Sequence, residues 1–287
     1  MIVDTHVHIW EVPPRAPVGP TAPRWSSLPD EPATAELLLE DMDANGVDWT
    51  VLVQTSFSTW DNGYLADSAR EYPDRFVVHG LVDPLDPDNA ETAAYWMDER
   101  GLAGFRFHPM YYRTDDPAEG SILTRPGNEA MFAAIAERSG IIQVHAFPEH
   151  AAQLDQAASR WPQITWLIDH MMYPQPEWAA EDWAPYEPVL ALAAHPNVGI
   201  KISDVHNRSQ QEFPHADMLP VVRKAVDAFG GDRILWGTGY PGYHRVKHGW
   251  PTLAGELRIV EEAFDFLSPE ERSGLLGDNA ARIWGLK

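Results

Sequence analysis

The sequence contains no cysteine in its 287 residues. This absence excludes disulfide bonds, a thiolate nucleophile and a cysteine metal site. A chain without disulfides is compatible with a reducing compartment. The first ten residues, MIVDTHVHIW, also lack the basic region that begins a signal peptide. We therefore expect a cytoplasmic protein.

Basic residues are scarce: 21 Lys and Arg stand against 43 Asp and Glu, for a formal net charge of -22. Nucleic-acid phosphates would be repelled, so we expect no nucleic-acid partner. No apolar run approaches the roughly 20 residues that a membrane span needs, so we expect no membrane partner. Aromatic residues are plentiful, with 12 Trp and 9 Tyr. Their placement on exposed loops would be compatible with a homodimer.

Short runs rich in β-branched and apolar residues recur along the whole chain, and each predicts a strand. They cover 2–9, 50–54, 76–82, 102–108, 141–146, 164–169, 198–203 and 233–238. Between them lie helical patterns, the clearest over 34–46, 127–140, 215–231 and 252–267. Eight strands alternating with helices predict an α/β fold, a (β/α)8 TIM barrel in a single domain over 1–287. A doubly wound sheet is the alternative, but its Gly-rich phosphate loop is missing after the first strand.

Histidines gather where the predicted strands end. Five of the 12 lie at or just past the carboxyl ends of four strands: His6, His8, His108, His145 and His170. In a barrel all these ends meet at one mouth. Side chains two apart on a strand project to one face, so His6 and His8 should point together, with Asp4. Two imidazoles on one strand and a third from another form a common Zn²⁺ site, although any one of them alone is equally compatible with a hydrogen-bonded core histidine.

Two cationic residues fall on the same predicted strand faces. Arg106 precedes His108 by two residues, and Lys201 points inward if its apolar neighbours point outward. A buried arginine must be paired, here with Asp4 or a Glu, or must receive an anion. In so acidic a protein, a cationic mouth would select a small substrate bearing a carboxylate. Asp169 should face away from the site unless its strand ends first.

The segments DTHVHIW, GFRFHP, WLIDHMMYP, GIKIS and LLGDNAARIWGL, in this order, resemble the amidohydrolase superfamily. Within it they resemble the amidohydrolase-related branch, which includes 2-pyrone-4,6-dicarboxylate lactonase and amino-carboxymuconate-semialdehyde decarboxylase. The resemblance covers nearly the whole chain. It implies a site at the barrel mouth built from His6, His8, His145 and His170, with an aspartate at the end of the eighth strand.

The end of the eighth strand departs from that family pattern. The branch typically reads GSDYP or GSDWP, whereas this chain reads GTGYP over 237–241, with Gly239 at the aspartate position. In the family this aspartate takes a proton from the attacking water and ligates the metal where one is present. A glycine can do neither.

Another group must therefore accept the proton. We expect His170 to do so, because a neutral imidazole titrates near the working pH. Asp204 and His244 are further candidates. Tyr240 and His244 should line the space that the missing carboxylate leaves, and with His108 they complete the predicted substrate contacts.

Three functions are compatible with these residues. The leading prediction is a hydrolase that opens a lactone or a related cyclic ester, with His170, His6, His8 and Arg106 as catalytic residues. The resemblance implies one divalent metal, most often Zn²⁺, on His6, His8 and His145. It equally implies metal-free operation as in some lactonases, with Arg106 and Lys201 polarising the carbonyl or holding a carboxylate. A metal-dependent decarboxylase or lyase is the second function, and a non-catalytic binding descendant is the third.

Overall fold

The computed structural model describes residues 1–13, 31–58, 60–111, 121–239 and 249–287. Eight parallel strands form one sheet in chain order: β1 Val3–Val7, β2 Trp49–Val53, β3 Phe76–Gly80, β4 Gly104–Phe107, β5 Ile141–Val144, β6 Thr165–Ile168, β7 Val198–Ser203 and β8 Ile234–Gly237. The end of β8 returns to β1, where the backbone N–H of Gly239 donates to the carbonyl of His6 at 2.7 Å. The fold is a (β/α)8 barrel, and all eight predicted strands are confirmed.

Helices alternate with these strands along the described chain. They are α1 Ala35–Asn45, α2 Gly63–Glu71, α3 Asn89–Asp98, α4 Glu129–Glu137, α5 Ala151–Arg160, α6 Glu187–Ala191, α7 Val205–Arg208, α8 Leu219–Phe229, α9 Leu253–Arg258, α10 Pro269–Ser273 and α11 Asn279–Trp284. No helix in these ranges is both long enough and apolar enough to cross a bilayer.

Local sequence signals explain several helix boundaries. The Thr34 hydroxyl accepts from the backbone N–H of Leu37, and Gly46 ends α1 in the left-handed conformation with φ of 67°. Pro220 stands in the first turn of α8, so that helix begins at Leu219 and not at the start of the predicted 215–231 segment. The helix predicted over 252–267 is regular only to Arg258, after which a π-helical turn follows.

An apolar layer closes the amino-terminal end of the barrel. Val3, Ile141, Leu167 and Leu235 pack there against Ala280 of α11. The Asn279 side chain ties α11 to the sheet by donating to the carbonyls of Gly231 and Ile234 at 2.8 and 2.9 Å. Because this end is filled, chemistry is confined to the opposite mouth.

The first strand is irregular where its polar residues lie. Its register with β2 shifts between Asp4 and Val7. The Asp4 carboxylate accepts from the backbone N–H and the hydroxyl of Thr238, at 2.9 and 2.6 Å. Asp4 therefore fastens β8 to β1, and its projection to the same face as His6 and His8 stays a prediction.

Candidate active site at the barrel mouth

All five strand-end histidines come together at the carboxyl ends of the strands. Ring centroids are 5.0 Å apart for His6 and His8, 4.5 Å for His6 and His170, 5.7 Å for His145 and His170, and 5.1 Å for His108 and His145. Four different strands supply these rings, so only closure of the barrel makes them neighbours.

Two glycines at the end of β8 shape the space beside these rings. A Cβ on Gly237 would stand 2.9 Å from the Cβ of His6, so a side chain there would displace this histidine. Gly239 has φ of 70°, and a Cβ built on it meets no described atom within 4 Å. The carboxylate expected from the family pattern is therefore missing from an open position. Tyr240 and His244, predicted to line it, lie outside the described residues.

Asp169 is the anionic centre of the site. It is fully buried, with one oxygen 2.7 Å from Arg106 Nε and the other 3.1 Å from Lys201 Nζ. Burial alone would raise its pKa, but the charges of Lys201 and Arg106 lower the pKa well below the ordinary value. Asp169 was expected to face away from the site unless its strand ended first. The strand β6 does end at Ile168, and Asp169 faces the site. The prediction that Arg106 pairs with Asp4 or a glutamate was wrong.

Lys201 crosses the barrel interior from β7 to β1. Its side chain is fully buried, and Nζ lies 2.9 Å from the Thr5 carbonyl oxygen and 3.3 Å from His6 Nδ1. Burial lowers the pKa of Lys201 to about 8, against the opposing attraction of Asp169. The side chain is thus an ammonium at neutral pH, and its predicted inward direction is confirmed.

The imidazoles around these charges are neutral. Burial, followed by the charge of Arg106, lowers the pKa of His8 to about 3. Burial likewise lowers the pKa values of His6, His108 and His145 well below the ordinary 6.5. His8 Nδ1 lies 2.7 Å from the carbonyl oxygen of Val53. Because a carbonyl only accepts, His8 carries its proton on Nδ1 and keeps a lone pair on Nε2.

His170 is held from two sides. Its Nδ1 is 3.0 Å from Ser203 Oγ, and its Nε2 is 3.5 Å from Arg106 Nη2. A guanidinium nitrogen can only donate, so Nε2 carries the lone pair and the Nδ1 proton is donated to Ser203. Burial lowers the pKa of His170 to about 4, while the carboxylate of Asp204 acts to raise it. Asp204 therefore stabilises the protonated ring whenever it forms. The expectation that this ring titrates near the working pH was wrong, because burial disfavours its charged form.

A left-handed turn begins at His170. His170, Met171, Met172 and Tyr173 all have positive φ, from 51° to 57°. Such residues cost about 1–2 kcal/mol each unless the surroundings hold them. Here the buried Tyr186 hydroxyl donates to the Met171 carbonyl at 2.7 Å.

The turn adds a phenol to the site that the sequence analysis missed. Tyr173 stacks on His170 with 5.3 Å between centroids, and its hydroxyl is 2.6 Å from His145 Nε2. The segment contains no glycine, so its sequence gave no sign of a left-handed turn. The aromatic residue three positions after the predicted strand-end histidine was the one available signal.

The described residues offer one group of three metal-binding side chains whose ligand atoms lie within 4.8 Å of one another: His6, Asp169 and His170. Only His6 is shared with the predicted ligands. Lys201 Nζ already lies 3.3 Å from His6 Nδ1 and 3.1 Å from Asp169. The other Asp169 oxygen pairs with Arg106.

Two fixed cations therefore surround the single carboxylate of this group. A dication added here would meet a local charge that is already positive, without a second anionic ligand to offset it. A divalent metal does not fit this arrangement of the described residues. Zn²⁺ on His6, His8 and His145 stays a prediction.

Comparison with known proteins agrees with this architecture. A family model described as amidohydrolase matches residues 3–286. An L-fucono-1,5-lactonase from Burkholderia ambifaria is 29% identical over 287 residues, covering 98% of this chain and 94% of the relative. Among solved structures, an amidohydrolase from Burkholderia multivorans with bound HEPES has a TM-score of 0.80 at 22% identity, covering 100% of both chains.

Two further solved structures share the fold and represent both predicted reaction classes. A probable 2-pyrone-4,6-dicarboxylic acid hydrolase from Acinetobacter baumannii, with citric acid bound, has a TM-score of 0.79 at 20% identity and 99% coverage of both chains. A 5-carboxyvanillate decarboxylase from Novosphingobium aromaticivorans, complexed with manganese, has a TM-score of 0.68 at 18% identity, covering 100% of this chain and 96% of that one.

Proposed function

The chain belongs to the amidohydrolase family, and we propose that it is a hydrolase opening a lactone or a similar small cyclic ester. The observation that carries the proposal is His170, a neutral imidazole with an oriented lone pair at a mouth lined by other neutral imidazoles. The L-fucono-1,5-lactonase, 29% identical over nearly the full chain, supports the lactone as substrate class.

The reaction needs a water, a proton acceptor and donors toward the carbonyl oxygen. The water oxygen attacks the acyl carbon while one of its protons passes to His170 Nε2, which gives up its long 3.5 Å contact with Arg106 Nη2. The ring carbon–oxygen bond then breaks, and the same proton is delivered to the leaving oxygen, giving one hydroxy acid from lactone and water. Asp204 stabilises the transient imidazolium, and Ser203 keeps the ring in position.

His170 thereby takes the task that the family gives to the aspartate at the end of the eighth strand. Gly239 leaves that position open, so a water or a substrate group has room beside the histidines. Arg106, Lys201 and Asp169 together carry one positive charge, which supports a carboxylate-bearing substrate. Because a dication on His6, Asp169 and His170 does not fit beside the two cations, no step of this mechanism uses a metal.

The test is a lactonase assay on a panel of sugar lactones and carboxylated pyrone lactones, with acid release followed by an indicator. In water enriched with heavy oxygen, the product must gain one labelled oxygen. His170→Ala should lower kcat/KM by about 10²–10⁴-fold, which is the usual share of a general base.

His79→Gln is the matched control for that variant. His79 is an equally buried histidine, but its Nε2 accepts from the Trp284 indole at 3.0 Å, near the closed end of the barrel. Its replacement should change kcat/KM by less than a few-fold. An unlabelled product would refute hydrolysis. Equal turnover by His170→Ala and the native chain would exclude His170 as the base, and no turnover by either would favour the non-catalytic alternative.

A decarboxylase is the second candidate. It is supported by the similarity in fold to 5-carboxyvanillate decarboxylase and by the cationic pair that could hold an aromatic acid. Release of carbon dioxide from aromatic carboxylates, together with stoichiometric bound metal after purification without chelator, would favour this function over lactone opening.

A further inference from the structure

The Lys201 ammonium has three acceptors around it. Nζ lies 2.9 Å from the carbonyl oxygen of Thr5, 3.1 Å from an Asp169 oxygen and 3.3 Å from His6 Nδ1. An ammonium carries three protons and no lone pair, so every close neighbour must be an acceptor. All three ammonium protons of Lys201 find an acceptor only if His6 Nδ1 is unprotonated.

The alternative is a proton on His6 Nδ1, donated to Asp169. That N···O separation is 3.4 Å, longer than an ordinary hydrogen bond, whereas Lys201 Nζ approaches the same Asp169 oxygen to 3.1 Å. A proton on Nδ1 would also face the protons of Lys201 across 3.3 Å. The neutral ring therefore carries its proton on the other nitrogen, Nε2.

We propose that Lys201 is a positioning residue that holds His6 in the Nε2–H tautomer and so makes it a hydrogen-bond donor inside the site. His6 Nε2 is buried and has no partner among the described residues. A buried unpaired donor is costly and marks a place that expects a ligand. His8, whose ring is 5.0 Å away, has the opposite tautomer, with its lone pair on Nε2.

The two histidines of the first strand thus differ in function although they are two residues apart. His6 offers an N–H, and His8 offers a lone pair. The catalytic consequence rests on the proposed function. The His6 N–H is already oriented, so it would stabilise the negative charge that develops on the lactone carbonyl oxygen. It also explains why a metal does not fit, since His6 Nε2 carries a proton where a ligand needs a lone pair.

The test is long-range ¹H–¹⁵N correlation spectroscopy of the ¹⁵N-histidine-labelled chain, which distinguishes the two neutral tautomers. Signals are assigned with His6→Gln and His8→Gln. We expect Nε2–H for His6 and Nδ1–H for His8 in the same spectrum, and His8 serves as the internal control. A protonated Nδ1 on His6 in the native chain overturns the proposal. This measurement needs no substrate, so its outcome is independent of whether the chain opens lactones.

Variants of Lys201 separate positioning from support of the fold. Lys201→Met removes the donor, so His6 should move its proton to Nδ1 and kcat on a lactone should fall at least tenfold with little change in KM. Lys201→Gln keeps an N–H donor without the charge and should retain the Nε2–H signal. If the single variant does not fold, Lys201→Met combined with Asp169→Asn also removes the carboxylate that has lost its ammonium partner. If folded Lys201→Met protein still shows His6 as the Nε2–H tautomer, the positioning role is refuted.

Discussion

Acid should unfold this protein through its buried histidines. The pKa is lowered by burial to about 3 for His8 and His79, and to about 4 for His170, against an ordinary 6.5. In the unfolded chain these rings bind protons below pH 6.5, whereas in the folded chain they do not. Stability is therefore highest above pH 6.5 and is lost as the pH falls toward 4.

The magnitude follows from the pKa differences. At about pH 5 the solution lies roughly 1.5 units below the unfolded pKa, so each of the three rings costs about 2 kcal/mol at 1.36 kcal/mol per unit. The sum is about 6 kcal/mol, which is comparable to the whole free energy of unfolding of a typical domain, about 5–15 kcal/mol.

Urea denaturation followed by circular dichroism between pH 8 and 5 measures this loss. As the pH falls, the free energy of unfolding should decrease, and its slope against pH should correspond to about three protons taken up on unfolding. His79→Gln keeps an acceptor for Trp284 and removes one titrating ring, so the slope should decrease by about one proton. Gln143→Met, a change of a buried polar side chain that does not titrate, should leave the slope unaltered. A flat stability profile, or an unchanged slope in His79→Gln, would refute the reasoning.

Four other predictions have defined outcomes. Both amide atoms of Gln143 are buried without a hydrogen-bond partner in the described chain, so Gln143→Met should stabilise by about 1 kcal/mol in thermal or urea unfolding. Gly239→Asp should fold at a cost of about 1–2 kcal/mol, since φ is 70° but space is open; failure to fold would contradict that. With His170 as base at a pKa of about 4, kcat/KM should stay level between about pH 7 and pH 5.5, and a fall centred near 6.5 would exclude it. After prolonged treatment with a chelator, lactonase activity should stay within two-fold of the untreated enzyme. A larger loss would show that metal-free operation is wrong.

The barrel was accessible from the sequence because its signals are local. Alternation of apolar strands with helices, the Thr34 cap and the Gly46 stop each act over a few residues and predict the same elements that the structure contains. The five histidines at strand ends were likewise predictable, because parallel strands in a barrel place all their carboxyl ends at one mouth.

The pairing of charges was not accessible in the same way. Arg106 pairs with Asp169, which is 63 positions away, and this pair depends on the residue at which β6 ends. A one-residue difference in strand length decides whether Asp169 faces the site or the helices. Tyr173 depends on a run of left-handed residues with no glycine to signal it, and Tyr186 holds that run from outside the segment.

The sequence by itself determined the fold, the family resemblance and the set of imidazoles, since each follows from residue type and spacing along the chain. It also determined what is missing, because Gly239 carries no carboxylate in any conformation. Only the tertiary structure decided what each imidazole can do. Whether His6 donates or accepts depends on the ammonium of Lys201, which lies 195 positions further along the chain, on β7. Protonation and tautomer are properties of an environment, and that environment exists only after the strands have closed.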